Sequence, residues 1–265
     1  MSVTGVIGVF WHCGTIFVRC VITKGEHSMK STTVAMAFVL VFALAFPATA
    51  QVSFQIGGGA GYVMPAGDYK GSMAEYYAGT NYGLASGFAA HAKARVGLMG
   101  FNLTGEIAYA FLNNDGSPEG GNSSAEVDHK ILSIKVGPEF RLGLPAVPVT
   151  PYLGVNVALN SFSGSSKFQG TSNITSSTID MASGSRIGVG ATVGVLLSSI
   201  DIAVHYNLHN LTGKSWTGGG NRVDTYSSLN DDKDPLYVAG DSNHVVKDPR
   251  SIQSIVITVS MMFGI

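Results

Sequence analysis

From residue 51 onward hydrophobicity alternates with a period of two, and this limits the possible folds more than any other feature of the chain. The last segment shows it best. Ile255, Ile257, Val259, Met261 and Phe263 share one face, while Ser254, Val256, Thr258, Ser260 and Met262 share the other. Successive side chains of a strand point to opposite sides, so the segment reads as a strand between two unlike environments. In 131–142, Leu132, Ile134, Val136, Phe140 and Leu142 alternate with Ser133, Lys135, Gly137, Glu139 and Arg141. Segments 152–160, 187–197 and 201–209 repeat the pattern, and 52–63, 86–98 and 103–112 follow it less strictly. Eight strands are predicted, each roughly long enough to cross a bilayer when tilted.

The connections alternate too. Short turns are predicted near Met99-Gly100, Pro145–Pro148 and Ser198-Ser199, and long polar links over 64–84, 113–128, 163–184 and 212–251. This is the spacing of an all-β, single up-and-down antiparallel barrel of about eight strands, with short turns on one rim and long loops on the other. Loop 212–251, the longest, is predicted to be the most mobile and the first cut by protease. A soluble barrel alternates as well, with its apolar face inward and charges along its wet exterior. Here only 12% of residues are charged, against roughly 25% in an ordinary soluble domain. The polar faces consist mostly of Gly, Ser, Asn, Thr and Ala, which suits a narrow lumen. The pattern therefore predicts a transmembrane barrel, closed because an open edge in lipid would leave backbone groups unpaired.

The N-terminal region has a different composition. Met29-Lys30, an apolar run from Val34 to Phe46, then Pro47 and Ala48-Thr49-Ala50 form the n-region, core and A-x-A site of a secretory signal peptide. Three segments are predicted: 1–28, a start-site over-extension or extended signal region; 29–50, the signal peptide, cleaved after Ala50; and 51–265, the barrel. Both cysteines, Cys13 and Cys20, precede the signal peptide, so no thiol chemistry is expected of the mature chain. A formal net charge of −1 without a basic stripe argues against nucleic acid as a partner.

The strand set and the C-terminal strand resemble the OmpA/OmpX-like superfamily of small outer-membrane β-barrels over 51–265. Segment 254–263 resembles the terminal strand that the barrel-assembly machinery reads, although Gly264 and Ile265 follow the aromatic Phe263. The resemblance implies a bacterial outer-membrane location, outer-membrane lipid and that machinery as partners, and a surface exposing long loops to an unknown extracellular ligand. It implies a non-enzymatic protein of envelope structure or surface interaction. A narrow porin-like channel and an outer-membrane lipid-modifying enzyme are the alternatives.

Motifs for chemistry are few. Gly57–Gly61 lacks the following helix that a phosphate loop needs, and reads as a closely packed strand. Asp231-Asp232-Lys233-Asp234 matches no calcium-loop spacing and reads as a solvated acidic loop. His205-Tyr206-Asn207 carries Asn where a His-x-Ser nucleophile would be, and alternation turns His205 inward. No catalytic residue, metal site or cofactor is predicted. The strongest constellation is ionic: Lys93, Arg95, Glu106, Lys135, Glu139 and Arg141 fall on the polar faces of three consecutive strands. A turn near Met99-Gly100 sets Lys93 opposite Glu106, and a loop centred near Gly120 sets Glu106 beside Lys135. A lumen network that fixes register and blocks the channel is predicted.

Overall fold

The computed structural model describes residues 8–12, 15–19, 52–98, 100–142, 149–212, 222–234, 236–242, 244–246 and 248–264. The chain divides between Ala50 and Gln51. In the first unit, β1 (Gly8–His12) and β2 (Thr15–Arg19) pair as an antiparallel hairpin. The predicted signal peptide, 29–50, lies outside the described residues.

The second unit is the barrel. Its strands are β3 (Val52–Ala66), β4 (Gly87–Leu98), β5 (Phe101–Gly116), β6 (Ser124–Arg141), β7 (Val149–Gln169), β9 (Gly184–Leu197), β10 (Ile200–Thr212) and β11 (Gln253–Gly264). Each pairs antiparallel with the next, and β11 closes the ring on β3 through a register from Gln253↔Ala66 to Gly264↔Gln55. A short strand, β8 (Ser177–Asp180), adds to the outer part of β7. Gly57–Gly61 lies within β3, and a Cβ at Gly57 would collide with the Met261 carbonyl oxygen. The glycines let β3 and β11 approach where the barrel closes.

The side-chain pattern matches the predicted sense. Along β5 the outward residues are Phe101, Leu103, Gly105, Ile107, Tyr109 and Phe111. Leu153, Val155, Val157 and Leu159 project from β7, and Ile257, Val259, Met261 and Phe263 from β11, all exposed; Ile255 is half-buried. Phe54, Phe101, Phe140 and Phe263 mark the turn end of this apolar belt. Tyr62, Phe88, Tyr109, Phe111 and Tyr206 mark the loop end. Phe101 and Phe111 bracket about nine residues, roughly 30 Å of strand, or about 23 Å along the axis at a tilt of about 40°. That matches the apolar height of an outer-membrane barrel.

Two predicted links are shorter than expected because the strands continue past the belt. β6 begins at Ser124 and β7 runs to Gln169. There the outward residues become Glu126, Asp128 and Lys130 on β6, and Ser161, Ser163, Ser165 and Lys167 on β7. Lys167 pairs with Glu126 at 3.0 Å, and the Asp128 carboxylate accepts the backbone N–H of Ser165 at 2.8 Å. Most inward residues become apolar, with Ala125, Val127, Ile131, Phe162 and Phe168 standing beside the buried His129 and Ser166. The amphipathic sense of both strands thus inverts at Ile131-Leu132.

Candidate functional site

The lumen contains two stacked layers of different chemistry. The layer nearer the turns is ionic, and the six residues predicted for it all lie there. Register sets Lys93 opposite Glu106 and Glu106 opposite Lys135. The Glu106 carboxylate lies 3.7 Å from Lys93 and 2.9 Å from Lys135. Glu139 accepts from Arg95 Nε and from Arg141 Nε, each at 2.9 Å, and Arg141 also donates to Gln55 at 2.6 Å.

Two members escaped the sequence reading. Asp201 of β10 reaches across the lumen to Lys93 at 3.3 Å and Arg95 at 2.7 Å. Tyr152 of β7 donates its hydroxyl to Asp201 at 2.6 Å, and the Arg95 guanidinium lies 4.8 Å from the Tyr152 ring centre. Gly194 makes room for that ring, since a Cβ there would collide with Tyr152 Cζ. Charges therefore alternate from Lys135 through Glu106, Lys93, Asp201, Arg95 and Glu139 to Arg141. Alternation had put Asp201 on the inner face, but a partner across the barrel leaves no mark in hairpin register.

Above this lies a layer of histidine–hydroxyl pairs. His91 bonds Ser260 at 2.7 Å, and His205 bonds Thr192 at 2.9 Å and Thr258 at 3.0 Å. His209 bonds Ser254 at 2.8 Å and Asn160 at 3.3 Å. A Ser–His–Asn sequence of bonds has the connectivity of a hydrolytic triad. Here all three residues are buried, and the adjoining cavity measures only about 30 Å³. A second cavity of about 30 Å³ borders Glu106, Lys135 and Glu139. Such spaces are water-sized.

The mouth is closed by the loops. The 64–84 link carries helix α1 (Met73–Ala78), which Ser72 and Glu75 cap reciprocally; the 212–251 link carries helix α2 (Arg222–Ser227). Tyr226 from the second link meets Phe168 at 4.7 Å and Tyr76 at 5.3 Å between ring centres. Tyr76 shares a 2.6 Å hydrogen bond with Ser166, and its burial pushes the phenol pKa up to about 12.

The acidic run in 231–234 corrects the sequence reading. Asp232 is exposed, but Asp231 and Asp234 are 2% and 1% exposed. Asp231 pairs with Arg186 of β9 at 3.0 Å and accepts from Asn210 at 3.2 Å. Asp234 accepts the backbone N–H groups of Leu229 and Leu236, and burial raises its carboxyl pKa. The described part of 212–251 is therefore a cap seated in the mouth, not a solvated loop. Its apolar residues Tyr226, Leu229, Tyr237 and Val246 are buried. They fall in short apolar runs of at most four residues, such as Leu236–Ala239, and follow no strand or helix period.

Among the described residues no group of His, Cys, Asp and Glu is placed to hold a metal ion. No family model and no curated protein matches the chain. Several solved structures are similar, three of which are these. Neisserial surface protein A is 19% identical, with 80% of this chain and 99% of that one covered and a TM-score of 0.42. Ail, the attachment invasion locus protein of Yersinia pestis, solved with the heparin analogue sucrose octasulfate, is 13% identical, with 80% and 99% covered and a TM-score of 0.40. A major outer membrane protein from Thermus thermophilus is 16% identical, with 80% and 100% covered and a TM-score of 0.44. The ring of strand pairings, the apolar outer belt and the ion-paired lumen together give this chain the architecture of a small eight-stranded transmembrane β-barrel.

Proposed function

We propose that this chain is a non-enzymatic, non-conducting protein of a bacterial outer membrane that holds a folded cap at the cell surface. The observation that carries this reading is the inversion of polarity along the strands. An apolar exterior over a polar interior fits lipid, and a polar exterior over an apolar interior fits water. The change occurs at Ile131-Leu132 on β6 and at the paired Ser161-Phe162 on β7, so the loop end of these two strands suits an aqueous phase. The N-terminal 29–50 would carry the chain across the inner membrane and be cleaved after Ala50. The β11 strand would be read by the barrel-assembly machinery, and the cap and rim would meet an extracellular partner. The closed lumen favours envelope structure or surface interaction over a channel, since eight strands leave an interior that side chains fill.

Cell fractionation tests the location. The protein should be recovered in the outer membrane and shift its gel mobility on heating. Recovery in the soluble periplasm would overturn the reading. In planar bilayers the intact barrel should show no single-channel steps, and discrete steps would favour the channel.

A further inference from the structure

Four buried side chains at the mouth touch one another and leave donors unused. The rings of Tyr69, Tyr82 and His129 lie 5.5–5.7 Å apart pairwise, and the Arg250 guanidinium lies 4.2 Å from the Tyr82 ring centre. All four residues are at most 5% exposed. Both phenol hydroxyls, His129 Nδ1, and Nε and Nη2 of Arg250 have no hydrogen-bond partner among the described residues. The remaining guanidinium nitrogen, Nη1, donates to the Asn81 carbonyl.

The contrast with the molecule's other buried arginines is direct. Arg95 and Arg186 each face a carboxylate within 3.0 Å. Arg250 has no such ion pair among the described residues, and the Asp68 carboxylate near it accepts from the N–H and hydroxyl of Ser251. A buried charge without a counter-charge is costly, and clustered orphan donors mark a place for an ion or ordered water. The five atoms can all donate, His129 Nδ1 in the appropriate tautomer; two of them belong to the Arg250 guanidinium, whose positive charge acts on Tyr82 and His129 alongside the carboxylates of Asp231 and Asp234 near Tyr82 and of Asp128 near His129. That chemistry suits an oxyanion and repels a metal cation. Tyr69 and its neighbour Leu84 are fully buried.

The geometry points to a binding site for one small free oxyanion (phosphate, sulfate or a short carboxylate) enclosed between the barrel mouth and the cap by Tyr69, Tyr82, His129 and Arg250. The ion supplies the counter-charge that Arg250 lacks and ties the cap residue Arg250 to residues of the barrel wall and first loop.

The test uses the full barrel refolded in maltoside detergent in a chloride buffer free of phosphate. Titration with inorganic phosphate, at constant ionic strength, should give a saturable heat with one site per chain and raise the unfolding temperature. Arg250→Gln should weaken binding at least tenfold, while Lys167→Gln, on the exposed rim, should leave it unchanged. If Arg250→Gln loses the cap, judged by protease sensitivity, the double variant Tyr69→Phe/Tyr82→Phe decides. It keeps both rings and should bind about tenfold more weakly. Absence of saturable heat with phosphate, sulfate and acetate would show that the mouth holds water only. That result, or unchanged affinity in the double variant, overturns the proposal. Neither depends on where in the cell the barrel resides.

Discussion

The strands β6 and β7 are built twice, once on each side of Ile131-Leu132. Towards the turns their outer residues are Leu132, Ile134, Val136, Leu153 and Val155, and their inner residues are Ser133, Lys135, Glu139, Tyr152 and Asn156. Towards the loops the outside is Glu126, Asp128, Ser163 and Lys167, and the inside is Val127, Ile131, Phe162 and Phe168. The backbone ladder keeps one register through both sections, with a gap only at Gly137-Pro138. Hydrogen bonding alone therefore does not choose which face is apolar; the surrounding medium does. In the lipid section the core is stabilised by paired charges, and in the aqueous section by ring packing and buried apolar surface.

Deleting 255–265 removes most of the strand that closes both sections, and should abolish assembly. A truncated chain that still shifted on heating and resisted protease would show that β11 is dispensable. Glu106→Ala leaves Lys135 without a counter-charge and takes from Lys93 one of two carboxylates. Breaking a buried pair in this way costs on the order of 3–5 kcal/mol. The denaturant midpoint of the whole barrel should fall, and a leak in planar bilayers is expected. An unchanged midpoint would remove the ionic core from the account.

The matching change in the aqueous section is Phe168→Ala, which deletes a ring packed on Tyr226 and Tyr76. The local cost is about 3–5 kcal/mol. It should open the cap to protease within 222–250 while leaving the barrel's unfolding midpoint nearly unchanged, because loops open independently of the scaffold. A joint loss of cap and barrel would make the two sections one cooperative unit. The smallest effect concerns pH. Hydrogen bonds from Ser72 hold the Glu75 carboxyl pKa below its ordinary value. Its contribution to α1 is fully present above the unfolded pKa of roughly 4.3, and is lost as pH falls through the lower folded value. Amide exchange in α1 should quicken below about pH 4, and Glu75→Gln should remove that dependence.

The sequence made the lipid section legible and left much of the aqueous one obscure, for physical reasons. Alternation fixes inside and outside wherever one medium is hydrocarbon, and the turn expected between Leu98 and Phe101 then determines Lys93 against Glu106 by counting. Asp201 and Tyr152 were missed because their partners lie across the lumen, a distance that strand register does not encode. The outer parts of β6 and β7 read as links in the sequence because their polar outward residues resemble loop composition. In the cap, Asp231 looks solvated until Arg186, 45 residues earlier, is brought beside it by the barrel. Local pattern carries the strands, while the cap is made of long-range contacts.

The claim that the lipid section is apolar outside and polar inside can be measured residue by residue. Residues 52–264 contain no cysteine, so single cysteines on a chain lacking Cys13 and Cys20 can carry nitroxide labels through β7 from Tyr152 to Asn160. In lipid bilayers, labels at Leu153, Val155, Val157 and Leu159 should collide freely with dissolved oxygen. Labels at Gly154, Asn156 and Ala158 should be shielded from both oxygen and an aqueous nickel reagent. The opposite phase, with the apolar set sequestered and the polar set meeting nickel, would contradict the account and make this a water-soluble barrel.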